Sequence, residues 1–263
     1  MVSTVQVFQQ ILHYATLPGA AGLICVIVFM LGKRRRGQLV MLSLSAAVSL
    51  CLLLKEFFKV PRPWLLHAET APYLAEGGYA LPCLHTMLSA AVFCSLALTS
   101  KHRWCRFLCA AAVCVTAAWR ILTELQSVAD VLTGLVCGLG IAFLLTRFYY
   151  RTLKKTARQI AMTAVLFFGL ATAVFLQDGW GLGLSLTVIL TELLDKPYEK
   201  AEAQRTAFGK IYGTVFAAGI YAGLIIFLPF LVEWLITPLW PGQVLIVFLI
   251  TSIPCLLRLI PIF

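Results

Sequence analysis

Residues 39–58 read LVMLSLSAAVSLCLLLKEFF, an apolar run in which no charged residue precedes Lys55. A membrane-spanning helix needs about 20 predominantly apolar residues, so this run alone is long enough to cross a bilayer. The whole chain has the same character: of its 263 residues, 61% are hydrophobic and 12% are charged, and its mean hydropathy is +0.92. A soluble chain carries about 25% charged residues. The composition therefore predicts an all-α, polytopic membrane helical bundle and excludes disordered, collagen-like and nucleic-acid-binding proteins.

Further apolar runs flank this one, and together they predict about nine transmembrane helices. The expected spans are 11–31, 39–58, 83–99, 107–123, 128–145, 160–176, 182–194, 211–235 and 244–262. The seventh is short and is compatible with a re-entrant segment. Gly219 and Gly223, with Gly213, lie in the eighth span and predict close packing against a neighbouring helix.

The basic residues, which give a net charge of +10, are divided unequally between the two sides of this predicted bundle. If the loops alternate, seventeen of the 21 Lys and Arg residues fall on one side, which the positive-inside rule assigns to the cytoplasm. The chain is then expected to be a multi-pass protein of the plasma membrane, with its N-terminus outside and its C-terminus in the cytoplasm. The other four, Lys55, Lys59, Arg62 and Arg120, fall on the outer side, where basic residues do not contribute to orientation. Ionisable residues at membrane depth are candidates for function.

The first outer motif is the end of the second span, KEFFKVPRP at residues 55–63. A helix that continued to about Val60 would place Lys55 and Arg62 two turns apart on one face. Two cations on one face favour an anion between them, and a phosphate suits both: arginine binds it as a planar fork and lysine as a point charge.

Two further motifs follow on the same side. His85 comes three residues after Pro82, in the first turn of the third span, where the helix N-terminus favours an anion and a histidine can donate a proton to a leaving group. Arg120 and Asp130 lie on either side of the turn between the fourth and fifth spans. A carboxylate buried at that position needs a hydrogen-bonding partner.

Taken in order, Lys-x6-Arg-Pro, Pro-x2-His and Arg-x9-Asp resemble the signature of the type 2 phosphatidic acid phosphatases, also called lipid phosphate phosphatases. The resemblance covers about residues 55 to 138 and the helix layout of the first five spans. The matching residues are Lys55, Arg62, Pro63, Pro82, His85, Arg120 and Asp130. It implies a core at 1–158 with an outward-facing phosphate site, followed by a helical extension at 159–263 of unknown role.

The resemblance also implies roles for individual residues. In the family, a histidine in the third motif forms a phosphohistidine, an aspartate four residues later orients it, and the histidine of the second motif protonates the leaving group. His85 is then the general acid and Asp130 the orienting carboxylate. The phosphate-binding positions are Lys55, Arg62, Cys83, Leu84 and Arg120. The implied partners are membrane lipids with phosphate head groups, with no nucleic acid, no cofactor and no metal, and with a homodimer or a partner subunit as a further possibility.

This sequence departs from the family pattern at the residues that carry the covalent chemistry. Gln126 occupies the nucleophile position, and an amide cannot attack phosphorus or carry the intermediate. Cys83 and Leu84 replace a serine and a glycine of the second motif, and Trp119 replaces the serine before Arg120. The sequence therefore predicts a protein that binds a lipid phosphate, or a polyprenyl phosphate or diphosphate such as undecaprenyl diphosphate, with impaired hydrolase chemistry.

Two other functions remain open at the level of sequence. The first is an active phosphatase that uses Cys83 or His67 as a substitute nucleophile, or water activated by Asp130 or a glutamate. The second is a lipid transporter or a structural membrane subunit in which the phosphate site is a relic. The segment from Trp64 to Tyr79, which includes His67, is expected to lie on the membrane as a lid.

Overall fold

The computed structural model describes residues 18–63, 78–152, 154–204, 206–235 and 240–259, and in these ranges the chain forms ten α-helices and no β-strand. The helices are α1 Pro18–Leu31, α2 Arg34–Phe58, α3 Leu84–Thr99, α4 Arg103–Leu122, α5 Val128–Leu145, α6 Lys155–Phe175, α7 Trp180–Leu193, α8 Asp195–Gln204, α9 Ala207–Leu235 and α10 Trp240–Leu256. A π-helical turn, Thr146–Tyr150, continues α5, and a 3₁₀ turn, Leu257–Leu259, follows α10.

Six of the described helices are long and apolar enough to cross a membrane: α2, α4, α5 with its π turn, α6, α9 and α10. Helices α1, α3 and α7 are apolar but shorter. The prediction of an all-α, multi-pass membrane protein is therefore confirmed, whereas the count of about nine spans stays a prediction. Residues 11–17 of the expected first span and 260–262 of the expected last span lie outside the described residues. So do residues 64–77, which hold His67 and nearly all of the expected lid.

The observed helix boundaries agree best with the predicted spans where the helix holds no lysine or arginine at its ends. Helices α3 and α5 begin and end within one residue of the predicted spans. Helices α2, α4 and α6 begin four or five residues earlier than predicted, because their first turns carry basic residues that lower the hydropathy without opposing a helix. The same effect hid α8, whose charged segment was interpreted as a loop and is helical instead.

The buried centre of the bundle is α2, which packs against α1, α3, α5, α6 and α7. Its side chains make polar contacts in two directions. The hydroxyl groups of Ser43 and Ser95, on α3, lie 2.8 Å apart, and the Ser45 hydroxyl donates to the carbonyl of Gly181, on α7, at 2.7 Å. In apolar surroundings such groups have to be paired within the protein. One helix therefore joins the early helices to the C-terminal ones.

The outer helices expose large apolar side chains. Phe107 on α4, Phe143 on α5 and Phe167 on α6 are 64%, 64% and 67% exposed. Water would make such a surface costly, whereas lipid accepts it. The exposed faces of these helices are therefore the faces expected to contact lipid.

Close contacts between helices occur at glycines that differ from those predicted. A Cβ atom on Gly219 or Gly223 of α9 would meet nothing within 4 Å among the described residues, so the prediction of tight packing there was wrong for these two. Helix α9 instead packs on α1 through the buried side chain of Tyr221, and a Cβ atom on Gly22 would clash with its hydroxyl group. The tight backbone contact lies between α3 and α5, where a Cβ atom on Gly138 would be 2.5 Å from the carbonyl oxygen of Met87.

This contact predicts a difference between two identical substitutions on one helix. Gly138→Ala forces α5 away from α3, and overpacking of this kind costs about 1–3 kcal/mol. Gly140→Ala, one half-turn away, meets nothing within 4 Å among the described residues and gains up to about 1 kcal/mol of helix propensity. Thermal unfolding in detergent, followed by far-UV circular dichroism, should show a lower midpoint for Gly138→Ala alone. Equal midpoints for the two variants would contradict the close packing of α3 and α5.

Candidate functional site

The candidate site lies at the end of the bundle where α2 ends and α3 begins, which we call the site end. Helix α2 stops at Phe58, and Lys59 adopts a left-handed conformation (φ 49°) in which its N–H donates to the carbonyl of Lys55 at 2.9 Å. Pro61 disfavours a helical conformation at the residue before it, so the helix cannot continue to Val60. The expectation that Lys55 and Arg62 share one helix face was therefore wrong, because Arg62 lies beyond the helix.

Both cations nevertheless reach the same short stretch of main chain. The Lys55 ammonium donates to the carbonyl of Tyr79, and the Nε–H of Arg62 donates to the carbonyl of Gly78 at 3.0 Å. Arg62 is almost fully buried, with 3% of its surface exposed. The contact with one segment, rather than a common helix face, brings the two predicted phosphate-binding cations together.

Gln126, which the motif resemblance places at the nucleophile position of the family, connects this segment to α5. With its amide oriented so that donors meet acceptors, Oε1 accepts from Nη1 of Arg62 at 2.9 Å. Its nitrogen donates to the carbonyl of Ala80 at 3.0 Å and to Oδ2 of Asp130 at 3.2 Å. The side chain is buried, so these contacts are shielded from water. Gln126 is therefore a bridge between a cation and a carboxylate.

Asp130 holds the start of α5 and joins it to α3. Its Oδ2 accepts the N–H of Ser127 at 2.9 Å, while the Ser127 hydroxyl accepts the N–H of Asp130 at 3.2 Å, which forms a reciprocal capping box. The main-chain carbonyl of Asp130 accepts the N–H of Cys83 at 3.0 Å. The carboxylate, which is 2% exposed, thus has the hydrogen bonds that burial requires.

The residues of the second motif form the tightly packed start of α3. Cys83 is the N-terminal cap residue of this helix and is fully buried, and its sulfur accepts from the Thr86 hydroxyl at 3.3 Å. A Cβ atom on Gly134 of α5 would lie 2.6 Å from the Cys83 carbonyl oxygen. His85 occupies the first turn and is buried, and Leu84 beside it is partly buried. The position of Cys83 is thus close-packed against α5.

Arg120 completes the set of predicted cations. It lies in the last turn of α4, fully buried, with its guanidinium carbon 5.3 Å from the centre of the Trp119 ring. The hydrogen bonds above link three side chains to the segment 78–80, those of Lys55, Arg62 and Gln126. Gln126 and Cys83 in turn bond to Asp130. His85 and Arg120 lie on the adjoining helix ends, at the start of α3 and the end of α4.

The family model of the PAP2 superfamily matches residues 37–154. This segment is therefore similar to the PAP2 superfamily. No curated protein and no solved structure matches the chain. The PAP2 segment begins in the first turn of α2 and ends immediately before α6, so it contains every predicted site residue. The resemblance drawn from the motifs is confirmed at the level of the family, whereas the roles of the residues and the division of the chain at 158 stay predictions.

Sequence reasoning missed two sets of groups that form hydrogen bonds in the candidate site. The first is Ser127, for which a signal existed: Ser-x-x-Asp at a helix start is a variant of the capping-box pattern. The second is the run of carbonyls at Gly78, Tyr79 and Ala80, for which no signal existed, since every residue type carries a main-chain carbonyl. The acceptors that position the cations could be found only in three dimensions.

The bridging role of Gln126 predicts a stability effect. Gln126→Met keeps about the same volume but removes the amide, so that groups on Arg62, Ala80 and Asp130 lose a partner at a buried position. Leaving buried polar groups unsatisfied costs about 1–3 kcal/mol. We expect a lower unfolding midpoint in urea, measured in detergent by tryptophan fluorescence. The control is Leu122→Met, a similar change at a side chain that is 81% exposed, for which no comparable loss is expected. Equal midpoints for the two variants would rule out the bridge.

Proposed function

We propose that this protein binds a lipid phosphate, or a polyprenyl phosphate or diphosphate, at the extracytoplasmic side of the membrane, and that its hydrolase chemistry is impaired. The observation that carries the proposal is the state of Gln126, whose amide lies between Arg62 and Asp130 at the position where the family has its nucleophile. The orientation is supported by the seventeen basic residues that the sequence assigns to the other side of the membrane.

The hydrogen bonding of Gln126 argues against covalent catalysis at this position. A nucleophile needs a lone pair directed at phosphorus and a way to lose its proton. The amide nitrogen offers no basic lone pair, and its two hydrogens go to Ala80 and Asp130. The amide oxygen accepts from Arg62, so both polar atoms of the Gln126 side chain are already hydrogen-bonded to other residues.

Cys83 is a poor substitute nucleophile for a different reason. Its sulfur is buried, accepts from Thr86 and lies on a cap residue pressed against Gly134. This environment supports its interpretation as a small residue that fills the place of a serine. His67, the other candidate, lies outside the described residues.

Two of the hydrogen bonds at the site support binding because a phosphate could take the place of their acceptors. Lys55 and Arg62 each donate to a main-chain carbonyl. A phosphate oxygen carries negative charge, so it attracts a cationic donor more strongly than a neutral carbonyl oxygen does. A head group that enters beside Gly78 and Tyr79 would compete for these donors, with His85 and Arg120 on the neighbouring helix ends completing the cage.

Binding should depend on Lys55 but not on Lys59, four residues later. Lys59 is exposed and pairs with Glu56 at 3.2 Å, and this hydrogen bond raises the pKa of the Lys59 ammonium, so it is charged at neutral pH. Lys55→Ala and Lys59→Ala therefore remove the same charge at the same end of α2. Loss of one charge-assisted hydrogen bond corresponds to binding about tenfold to hundredfold weaker.

The measurement is calorimetric titration of detergent-solubilised protein with short-chain phosphatidate, and then with undecaprenyl diphosphate. We expect only Lys55→Ala to lose affinity, with circular dichroism confirming that both variants are folded. Equal losses would show that binding reflects general attraction to a cationic surface. Absence of binding to the wild type would leave the structural-subunit function.

The absence of covalent chemistry is tested separately, by phosphate release from the same two lipids. We expect wild-type release to equal that of a His85→Ala variant, because Gln126 cannot act as the nucleophile that His85 would assist. Wild-type turnover that His85→Ala abolishes would overturn the impaired-enzyme proposal and favour an active phosphatase. Gln126→His provides the positive arm: phosphate release by this variant alone would indicate that the cage can still support the reaction.

A further inference from the structure

A cavity lined by both charged and apolar residues lies at the opposite end of the bundle. Helix α5 runs from Asp130 at the site end to Tyr149 in the π turn, a rise of about 28 Å at 1.5 Å per residue. Near Tyr149, helices α6, α7 and α8 enclose a cavity of about 560 Å³. Its lining includes Lys155, Arg158, Met162, Ile189, Glu192 and Lys196. The volume is in the range of small-molecule sites.

The charges that line this cavity do not cancel. Three lining residues are basic and one, Glu192, is acidic. The carboxylate of Glu192 is already engaged, since it lies 3.2 Å from Nη1 of Arg158 and 3.4 Å from the Tyr149 hydroxyl. Lys155 and Lys196 are exposed and are left as surplus positive charge. The lining therefore favours an anion.

The acidic side of the cavity is held rigidly by buried polar contacts. The Tyr149 hydroxyl is within hydrogen-bonding distance of Gln38 as well as Glu192, at 3.2 Å from Oε1 of the glutamine. The Gln38 amide in turn donates to the Thr191 hydroxyl at 3.2 Å. Glu192 is thus fixed from α2 and α5, and it fixes Arg158.

The other side is positioned by α8. Tyr198, two residues after Lys196, is fully buried and donates its hydroxyl hydrogen to the carbonyl of Cys255 at 3.0 Å. Its ring meets Phe29 edge to face, with 5.7 Å between the ring centres. Lys196 therefore projects from an anchored helix rather than from a loop.

We propose that this cavity binds the phosphate group of an anionic glycerophospholipid, on the membrane face opposite to the candidate site. Lys155 and Lys196 supply the charge for the phosphate. Arg158, whose Nη1 pairs with Glu192, also lines the cavity.

The apolar part of the lining identifies the ligand as a lipid rather than a free anion. The apolar lining residues include Met162, Ile189 and Leu193, which we call the apolar wall. Leu193 lies where α7 ends and is 78% exposed. A head group bound at the lysines leaves its acyl chains along this wall. A free phosphate ion would use the charges and leave the apolar surface without a partner.

The test compares two double variants that each remove two positive charges from this end of the bundle. Lys155→Gln/Lys196→Gln removes the charges of the cavity, and Lys101→Gln/Lys154→Gln removes two exposed charges outside its lining. Each protein is purified from bilayers of phosphatidylcholine and phosphatidylglycerol, and the retained lipid is counted by native mass spectrometry. We expect wild type and control to retain phosphatidylglycerol in preference, and the cavity variant to lose that preference about tenfold or more.

Three outcomes would overturn the proposal. The wild type could show no preference for phosphatidylglycerol, or the two double variants could lose it equally, which would indicate general attraction to a basic surface. The third is displacement of the retained lipid by inorganic phosphate at equal concentration, which would make the cavity a site for free anions. Met162→Gln serves as a second variant that leaves all charges in place: it should weaken retention of the lipid, and unchanged retention would contradict the role of the apolar wall.

Discussion

A carboxylate buried at the start of a helix has to be fully hydrogen-bonded, and the candidate site is organised around this requirement at Asp130. Its Oδ2 takes the N–H of Ser127 and an amide N–H of Gln126. Because the amide nitrogen of Gln126 faces Asp130, its amide oxygen faces Arg62. Arg62 in turn donates to the carbonyl of Gly78. Asp130 thus orients Gln126, and Gln126 orients Arg62. The position of the Arg62 guanidinium therefore depends on Asp130 through Gln126.

The contrast between glutamine and histidine at position 126 follows from the same hydrogen bonds. A histidine can direct one ring nitrogen at a carboxylate and leave the other for a reacting atom. Glutamine has one nitrogen, and here it is shared between Ala80 and Asp130. Glutamine at this position is therefore linked to both Asp130 and Arg62. These hydrogen bonds support the proposal that the site holds a phosphate without breaking its bonds.

The sequence predicted the parts of the fold that depend on local signals. Helices α3 and α5 are apolar runs without lysine or arginine, and both were predicted within one residue at each end. Hydropathy failed at Arg34 and along α8, because charged residues at a membrane surface can be helical without being apolar. In the site, the roles given by the family motifs stay predictions, and the end of α2 was misjudged. The effect of Pro61 on the residue before it outweighed the apolar pattern.

The hydrogen bond from Ser45 to Gly181 bears on how the chain is made. The two residues are 136 positions apart, and at about 5–20 residues per second the ribosome needs roughly 7 to 27 s to deliver the second after the first. During that time the polar face of α2 has no α7 to bind and must contact lipid, water or the insertion machinery. A chain that terminated before α7 would keep this face exposed permanently. The C-terminal helices therefore supply a polar partner for the helix that carries Lys55.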